Sequence, residues 1–419
     1  MKQSTAKIPE GYKNTLLGII PNEWEVKKIK EIGQVLTGNT PATSEKENYG
    51  DSYLFVSPVD LSDLKYIKNT EKKLSLIGFE KSRKLPKGAV LFTCIGLIGK
   101  VGISLCDLSC NQQINAIICN ELMFNEYLYY ELRIRASKIK LIAGEQVLPI
   151  INKSDFENVK ILIPPLPEQR KIAEVLSTWD RAIEKQMLLV EKLELRKKGL
   201  MQQLLTGKKR LPGFSGGAWK KVKLGDIGQC YSGLTNKNKS DFECGAAKFI
   251  TYMNVFCHGK IDINILGRVN IEADEKQEKV KKGDIFFTVS SETPEEVGMS
   301  SVLMDDVNNT YLNSFCFGFR LYNNEILLPK YAIYAFRGTD MRKNMYRIAQ
   351  GSTRFNLSKD EVMSLKITVP TVQEQNAIAE ILSVCDNEIT LARQKLDTLR
   401  QQKKGLMQVL LTGKKRIKI

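Results

Sequence analysis

A chain of 419 residues with 42% hydrophobic and 26% charged residues carries enough apolar material for two or three packed domains and is not a disordered chain. Its 63 Lys and Arg against 47 Asp and Glu give a formal net charge of +16, which points to a polyanionic partner, a purely solubilising excess being the plainer alternative. Nine cysteines without a Cys-x-x-Cys pair and a single histidine, His258, offer no zinc-site spacing and read as reduced structural thiols of a cytoplasmic protein.

In chain order, Met1 to Trp24 has no apolar core before a cleavage site, so no signal peptide is expected. Trp24 to Gly38 reads WEVKKIKEIGQVLTG and leads into a polar loop, Thr37 to Thr43. Ala89 to Thr93 has the Val, Phe and Thr content of a strand. Val90 to Gly99 is too short to span a membrane before Lys100 interrupts it. Polar segments follow at Asn111 to Gln113 and at Gly144-Glu145-Gln146, with a helical pattern between them from Asn125 to Ile142. Pro164 to Arg210 then carries Ile172, Leu176, Trp179, Ile183, Val190, Leu193, Leu200 and Leu204 at three- and four-residue steps, which is a long coiled-coil-type helix. Pro167 suits its first turn, and Gly207 its left-handed end. At about 1.5 Å per residue, nearly forty residues make a rod of roughly 55 to 60 Å.

The second half repeats the first. Trp219 to Gly233, WKKVKLGDIGQCYSG, keeps the Trp, Ile-Gly-Gln and final Gly in register. Asp284 to Val289 matches the earlier strand, and Pro329 to Ala349 the earlier helix. Pro370 to Arg416 aligns without a gap on Pro164 to Arg210, with roughly 24 of 47 positions identical. Its seam is Ile378, Leu382, Cys385, Ile389, Leu396, Leu399, Leu406 and Leu410. Thr371 and Glu374 have capping-box spacing at its start, and Gly413 closes it. Two equal helices in one chain can bury their seams on each other, a homodimeric coiled coil being the alternative. Lys197 and Lys403 interrupt the seams at equivalent places, which suggests that another surface meets the helices there. The fold class is therefore α+β: two mixed α/β domains, 1–163 and 211–369, separated by two long antiparallel helices, 164–210 and 370–419, in a pseudo-twofold repeat.

Catalytic patterns are missing. Gly96-Leu97-Ile98-Gly99-Lys100 has Cys94 where a phosphate loop needs its first Gly, and Val101 where it needs Ser or Thr. Asp60, Asp63 and Lys65 are the sort of cluster a Lys-rich chain produces by chance. There is no Asn-Pro-Pro-aromatic motif for methylating a flipped base. What does recur is a set of polar loops whose side chains can bond base edges or phosphates. In the first half these are Thr37, Asn39, Thr40, Lys100, Asn111, Gln112, Gln113 and Gln146. In the second they are Thr235, Asn236, Lys237, Asn254, Asn313, Ser352, Thr353 and Arg354. A turn-forming or solvent-facing role is the bland reading for each.

With the Pro-x-x-Glu-Gln-x-x-Ile-Ala helix starts, the Lys-Lys-Gly-Leu-Met-Gln-x-Leu-Leu-Thr-Gly-Lys helix ends and the entry segment GIIPNEWEVKKIKEIG, Gly18 to Gly33, the chain resembles the specificity subunit of type I restriction-modification systems over nearly its whole length. The resemblance implies two target-recognition domains, each reading half of a bipartite, asymmetric site in double-stranded DNA, with the helices as a ruler across the unread gap. It further implies that two methyltransferase subunits and then the restriction (translocase and endonuclease) subunits assemble on this chain. S-adenosylmethionine, ATP and Mg would belong to those partners, and this chain would hold no cofactor, no metal and no catalytic residue of its own. The helix ends near Gly199 and Gly405 are candidates for methyltransferase contact, a helix-packing role being the alternative. Trp179 against Cys385, and Gln186 against Ala392, make the two seams unequal. Two other readings stay open: a protein-binding scaffold, with salt-insensitive partners and no DNA affinity, and an autonomous nuclease or methyltransferase, active alone.

Overall fold

The computed structural model describes residues 8–144, 148–242, 245–272 and 274–417. The chain divides into two compact units, Met1–Leu189 with Ala392–Ile419, and Val190–Leu391. Each unit thus combines one mixed α/β body with half of each long helix, Leu166–Leu204 and Val372–Leu410.

In the first unit a five-stranded sheet runs in the order Gly33–Thr37, Ile114–Cys119, Val90–Thr93, Val101–Ser104, Tyr66–Ile67. A three-stranded sheet sets Tyr49–Val56 between Ser109–Cys110 and Lys72–Leu74. Glu25–Lys28 pairs with Lys160–Ile163 beside the start of the first long helix. The second unit repeats this plan. Gly228–Ser232, Cys316–Leu321, Ile285–Thr288 and Ser300–Val302 form one sheet, and Ala247–Ile250 lies between Gly267–Val269 and Thr310–Leu312 in another. Lys220–Lys223 pairs with Lys366–Val369. Val90–Thr93 and Ile285–Thr288 are fully buried, as four-residue apolar runs in sheet centres must be.

The helix starts explain why the Glu-Gln dipeptide recurs. Glu168, 0% exposed, accepts the Trp24 indole N–H at 3.0 Å and two guanidinium bonds from Arg416 at 2.7 and 2.9 Å. Glu374 does the same with Trp219 at 3.2 Å and Arg210 at 2.6 and 2.8 Å. The neighbouring Gln169 donates to the Leu122 and Pro164 carbonyls and accepts from Phe124 N–H. Gln375 likewise bonds Ile326, Pro370 and Leu328. Each dipeptide therefore satisfies buried backbone groups that would otherwise cost about 1–3 kcal/mol apiece. The expected capping box is only half made: Glu374 N–H reaches Thr371 Oγ1 at 3.4 Å, but the carboxylate is committed to Arg210 and Trp219.

Within the first unit the two helix halves run antiparallel, since Glu168 meets Arg416, Asp180 meets Lys403 and Gln186 donates to the Ala392 carbonyl at 2.9 Å. Gln186 and Ala392 are the same position in the two copies. In the second unit Lys197 pairs with Asp386 and Arg196 with Glu388. The seam lysines are thus answered inside each helix pair: Lys403 is 7% exposed against Asp180, and no outside surface is needed to explain it. Ile172 and Leu176 join Trp24, Leu410 and Leu411 in the core of the first unit, with Leu406 half-buried against it. Ile378 and Leu382 join Leu204 in the second, with Leu200 at its edge. Ile389 and Leu396 are also buried, whereas Trp179 and Ile183 are half-buried. Full burial of such a side chain stabilises by about 1.5–3 kcal/mol.

One expected element differs. Asn125–Lys140 is a continuous helix, but its counterpart is split into Pro329–Ala335 and Thr339–Ile348. Arg337 turns out of the helix there to donate to the Ser300, Val255, Phe256 and His258 carbonyls, and Gly338 starts the next helix from extended backbone.

Candidate nucleic-acid interface

In the first unit the loops after Thr37 and after Cys110 are forced together. A Cβ on Gly38 would lie 2.2 Å from the Cys110 carbonyl oxygen, so only glycine admits this approach. Asn111 N–H bonds the Val56 carbonyl at 2.9 Å, and its side chain both caps Gln113 N–H and donates to Gln113 Oε1. Thr40 donates to Gln112 Oε1 at 2.6 Å, which leaves the exposed Gln112 its NH₂ group for an outside acceptor. Thr40, Asn111, Tyr49, Ser57 and Lys72 line a hollow of about 260 Å³. That is smaller than the roughly 300–1,000 Å³ of cofactor pockets.

The second unit builds the same corner with different chemistry. A Cβ on Gly233 would lie 2.0 Å from the Asn313 carbonyl oxygen. Asn313 N–H bonds the Ile250 carbonyl, and its side chain caps Phe315 N–H at 2.8 Å. Phe315 thus stands where the first unit has Gln113, and it is 57% exposed. Thr235 is clamped by Gln277 through both its N–H and its carbonyl, and Asn236 takes a left-handed φ of 56°. Ser352, Thr353 and Arg354 are exposed on a loop closed by the Ser290–Ser291 and Phe355–Asn356 pairing. Val289 N–H bonds the Phe315 carbonyl, which keeps that loop beside the same corner.

Several sequence candidates have internal duties. Asn254 is 0% exposed and bonds the Asp262 backbone through both amide atoms. The Lys237 side chain is buried against Glu275, and Lys100 donates to the Pro58 carbonyl at 3.0 Å. Thr37 donates to Asn115, while Asn39 bridges Lys81 and Arg83. Gln146 lies outside the described residues. The gathered, outward set is therefore Thr40, Asn111, Gln112 and Gln113 in one unit, and Thr235, Asn236, Asn313, Ser352, Thr353 and Arg354 in the other. Sequence reasoning missed Phe315 and Lys72. Phe315 sits in an apolar run, and only its alignment on Gln113 marks it. No group of His, Cys, Asp and Glu among the described residues is arranged to hold a metal. Burial pushes the Cys94 and Cys110 thiols up to about 12, so both stay protonated at neutral pH. His258 is exposed.

A sequence model of the type I restriction modification DNA specificity domain matches residues 21–192 and 217–401. The chain belongs to that family. Among its relatives, the type I restriction enzyme MjaVIII specificity subunit of Methanocaldococcus jannaschii is 27% identical over 418 residues, covering 95% of this chain and 94% of the relative. The MjaIX specificity subunit of the same organism is 37% identical over 195 residues, covering 44% and 45%. The fold of this family member is also that of the S subunit from M. genitalium, with a TM-score of 0.57 at 17% identity, covering 93% of this chain and 96% of that one. A chain solved in work on assembly and conformational transition of the type I R-M system gives 0.60 at 17% identity, covering 94% and 99%. No helix among the described residues is long and apolar enough to cross a membrane.

Proposed function

We propose that this specificity protein reads a bipartite, asymmetric site in double-stranded DNA, one half with each unit, and carries two methyltransferase subunits and the restriction subunits to it. The observation behind this reading is that the scaffold contacts recur in both units while the outward side chains at the corresponding corner do not. Amide and hydroxyl groups at Thr40, Asn111, Gln112 and Gln113 suit adenine edges, whereas Phe315 with Arg354 suits a thymine methyl and a guanine or phosphate. Chemistry with S-adenosylmethionine, ATP and Mg belongs to the partners, and the assembly works in the cytoplasm.

The methyltransferase surfaces are the equivalent helix stretches around Gly199 and Gly405. A Cβ at either glycine would meet nothing within 4 Å, so packing inside the chain does not require them. A glycine inside a helix costs about 1 kcal/mol relative to alanine. Retaining one at the same place in both helices is best accounted for by close approach of a partner.

The test is to coexpress the chain with its methyltransferase in a host lacking other DNA methylation and to map methylated adenines across the genome. A single split motif with a fixed gap is expected. Assembled, active enzyme that methylates without a motif would overturn the reading.

A further inference from the structure

The two units differ where the helix after the main sheet crosses the outer strand pair. In the first unit Glu131, 0% exposed, lies in that crossing, accepts the Leu162 N–H at 2.8 Å and pairs with Arg135 one turn on. Tyr130 and Tyr334, which bond Asp180 and Asp386 respectively, fix the equivalence of the two helices. By that register Ala335 replaces Glu131, and the helix breaks before it reaches the position of Arg135. Strand register adds that the Val26–Leu162 pair of the first unit becomes Lys221–Thr368 in the second.

The second unit has a groove of about 440 Å³ at this crossing, where the first unit buries Glu131 and Arg135 as an ion pair. Trp219, Tyr331 and Phe336 line it, and Lys221, Lys343, Arg347 and Lys366 rim it. All four cations are exposed, and none of their side chains has a hydrogen bond or ion pair among the described residues. Asp340 is the one carboxylate in the lining. The first unit thus shows what chemistry this crossing accepts, a glutamate side chain, and the second lacks it while carrying surplus positive charge.

We infer that this groove is a docking site for an acidic segment of a partner protein, whose carboxylates take the place that Glu131 fills in the other unit. Trp219, half-buried in the lining, favours a peptide with interspersed apolar residues over a phosphate backbone, which gains little from burial against apolar surface. Four unpaired cations around one cleft supply the charge complementarity and the steering. The inference does not depend on the DNA-reading proposal, because the groove contains none of the outward corner residues.

The experiment measures fluorescence anisotropy of a labelled peptide alternating Glu and Leu, with the Gln version as control, on the full chain. The acidic peptide is expected to bind and the Gln peptide not. Lys221→Glu with Lys366→Glu should weaken binding about tenfold or more, as loss of charge-assisted contacts does. Ala335→Glu, which places a carboxylate at the cleft where the first unit has Glu131, should abolish it independently, with duplex DNA binding unchanged in both variants. Equal peptide affinity in the parent and both folded variants would refute the site. Displacement of the peptide by a short DNA duplex would do so too, by assigning the cleft to phosphates.

Discussion

Replacing Glu168 with Ala tests the physical basis of the repeat. The carboxylate makes a charge-assisted bond with the Trp24 indole, of a kind contributing about 1.5–3 kcal/mol. Its two-point pair with Arg416, which is one-third exposed, contributes about 1 kcal/mol after solvent screening. Glu168→Ala is therefore expected to destabilise the first unit by about 3 kcal/mol, and Glu168→Gln, which keeps a neutral acceptor, by about half as much. Hydrogen exchange read by mass spectrometry resolves where the loss falls. A loss of that size raises local opening about a hundredfold, and faster exchange is expected in peptides covering 12–28 and 406–416. Glu374→Ala should reproduce the effect in peptides covering 200–214 and 219–223. A cost below about 1 kcal/mol, or the same peptides opening in both variants, would refute the assignment of the dipeptide as the clasp of each unit.

Three further outcomes follow from the same contacts. Asp180→Asn strands the buried Lys403 and is expected to cost about 3–5 kcal/mol in denaturant unfolding, much of it recovered in Asp180→Asn with Lys403→Met; additive losses would contradict the pairing. Burial raises the Glu126 carboxyl, but bonds from Lys65, Tyr66 and Ser177 outweigh it and hold the group below its ordinary 4.5. Its contribution is therefore complete above 4.5 and is lost as pH falls through the depressed folded value. The stability advantage of the parent over Glu126→Gln should shrink in acid, and an advantage independent of pH would speak against this network. Finally, Arg354→Ala with Phe315→Ala should relax one half of the methylated motif, by about 1–3 kcal/mol per lost base contact, and leave the other half intact; relaxation of both halves, or of neither, would remove these residues from the reading surface.

The long helices and the duplication were legible because a seam of Leu and Ile at three- and four-residue steps states its own geometry. The Glu-Gln dipeptides were visible as repeated letters, yet their role as buried clasps was not, because their partners Trp24, Arg416, Trp219 and Arg210 come from remote stretches of chain. Lys197 and Lys403 misled for a related reason: Asp180 and Asp386 recur just as faithfully, but antiparallel pairing is needed to bring them together. Asn254 shows the limit for loops. A buried asparagine that holds a turn and an exposed one that meets a base have the same local sequence signature, and only burial separates them. The break at Gly338 does have a signal in the sequence, Arg337-Gly338-Thr339-Asp340, which interrupts the apolar positions between Phe336 and Met341.

Because the first unit is completed by Leu410, Leu411 and Arg416, while Val190–Leu391 is continuous in sequence, the two units cannot finish folding in the order in which their bodies are synthesised. The second unit has all its parts as soon as Leu391 leaves the ribosome. The first, although made earlier, must wait with Trp24, Ile172 and Leu176 uncovered until the last helix arrives. Synthesis stalled before Leu406 would leave a chain with a finished second unit and an open first one, the species most exposed to chaperones and proteases.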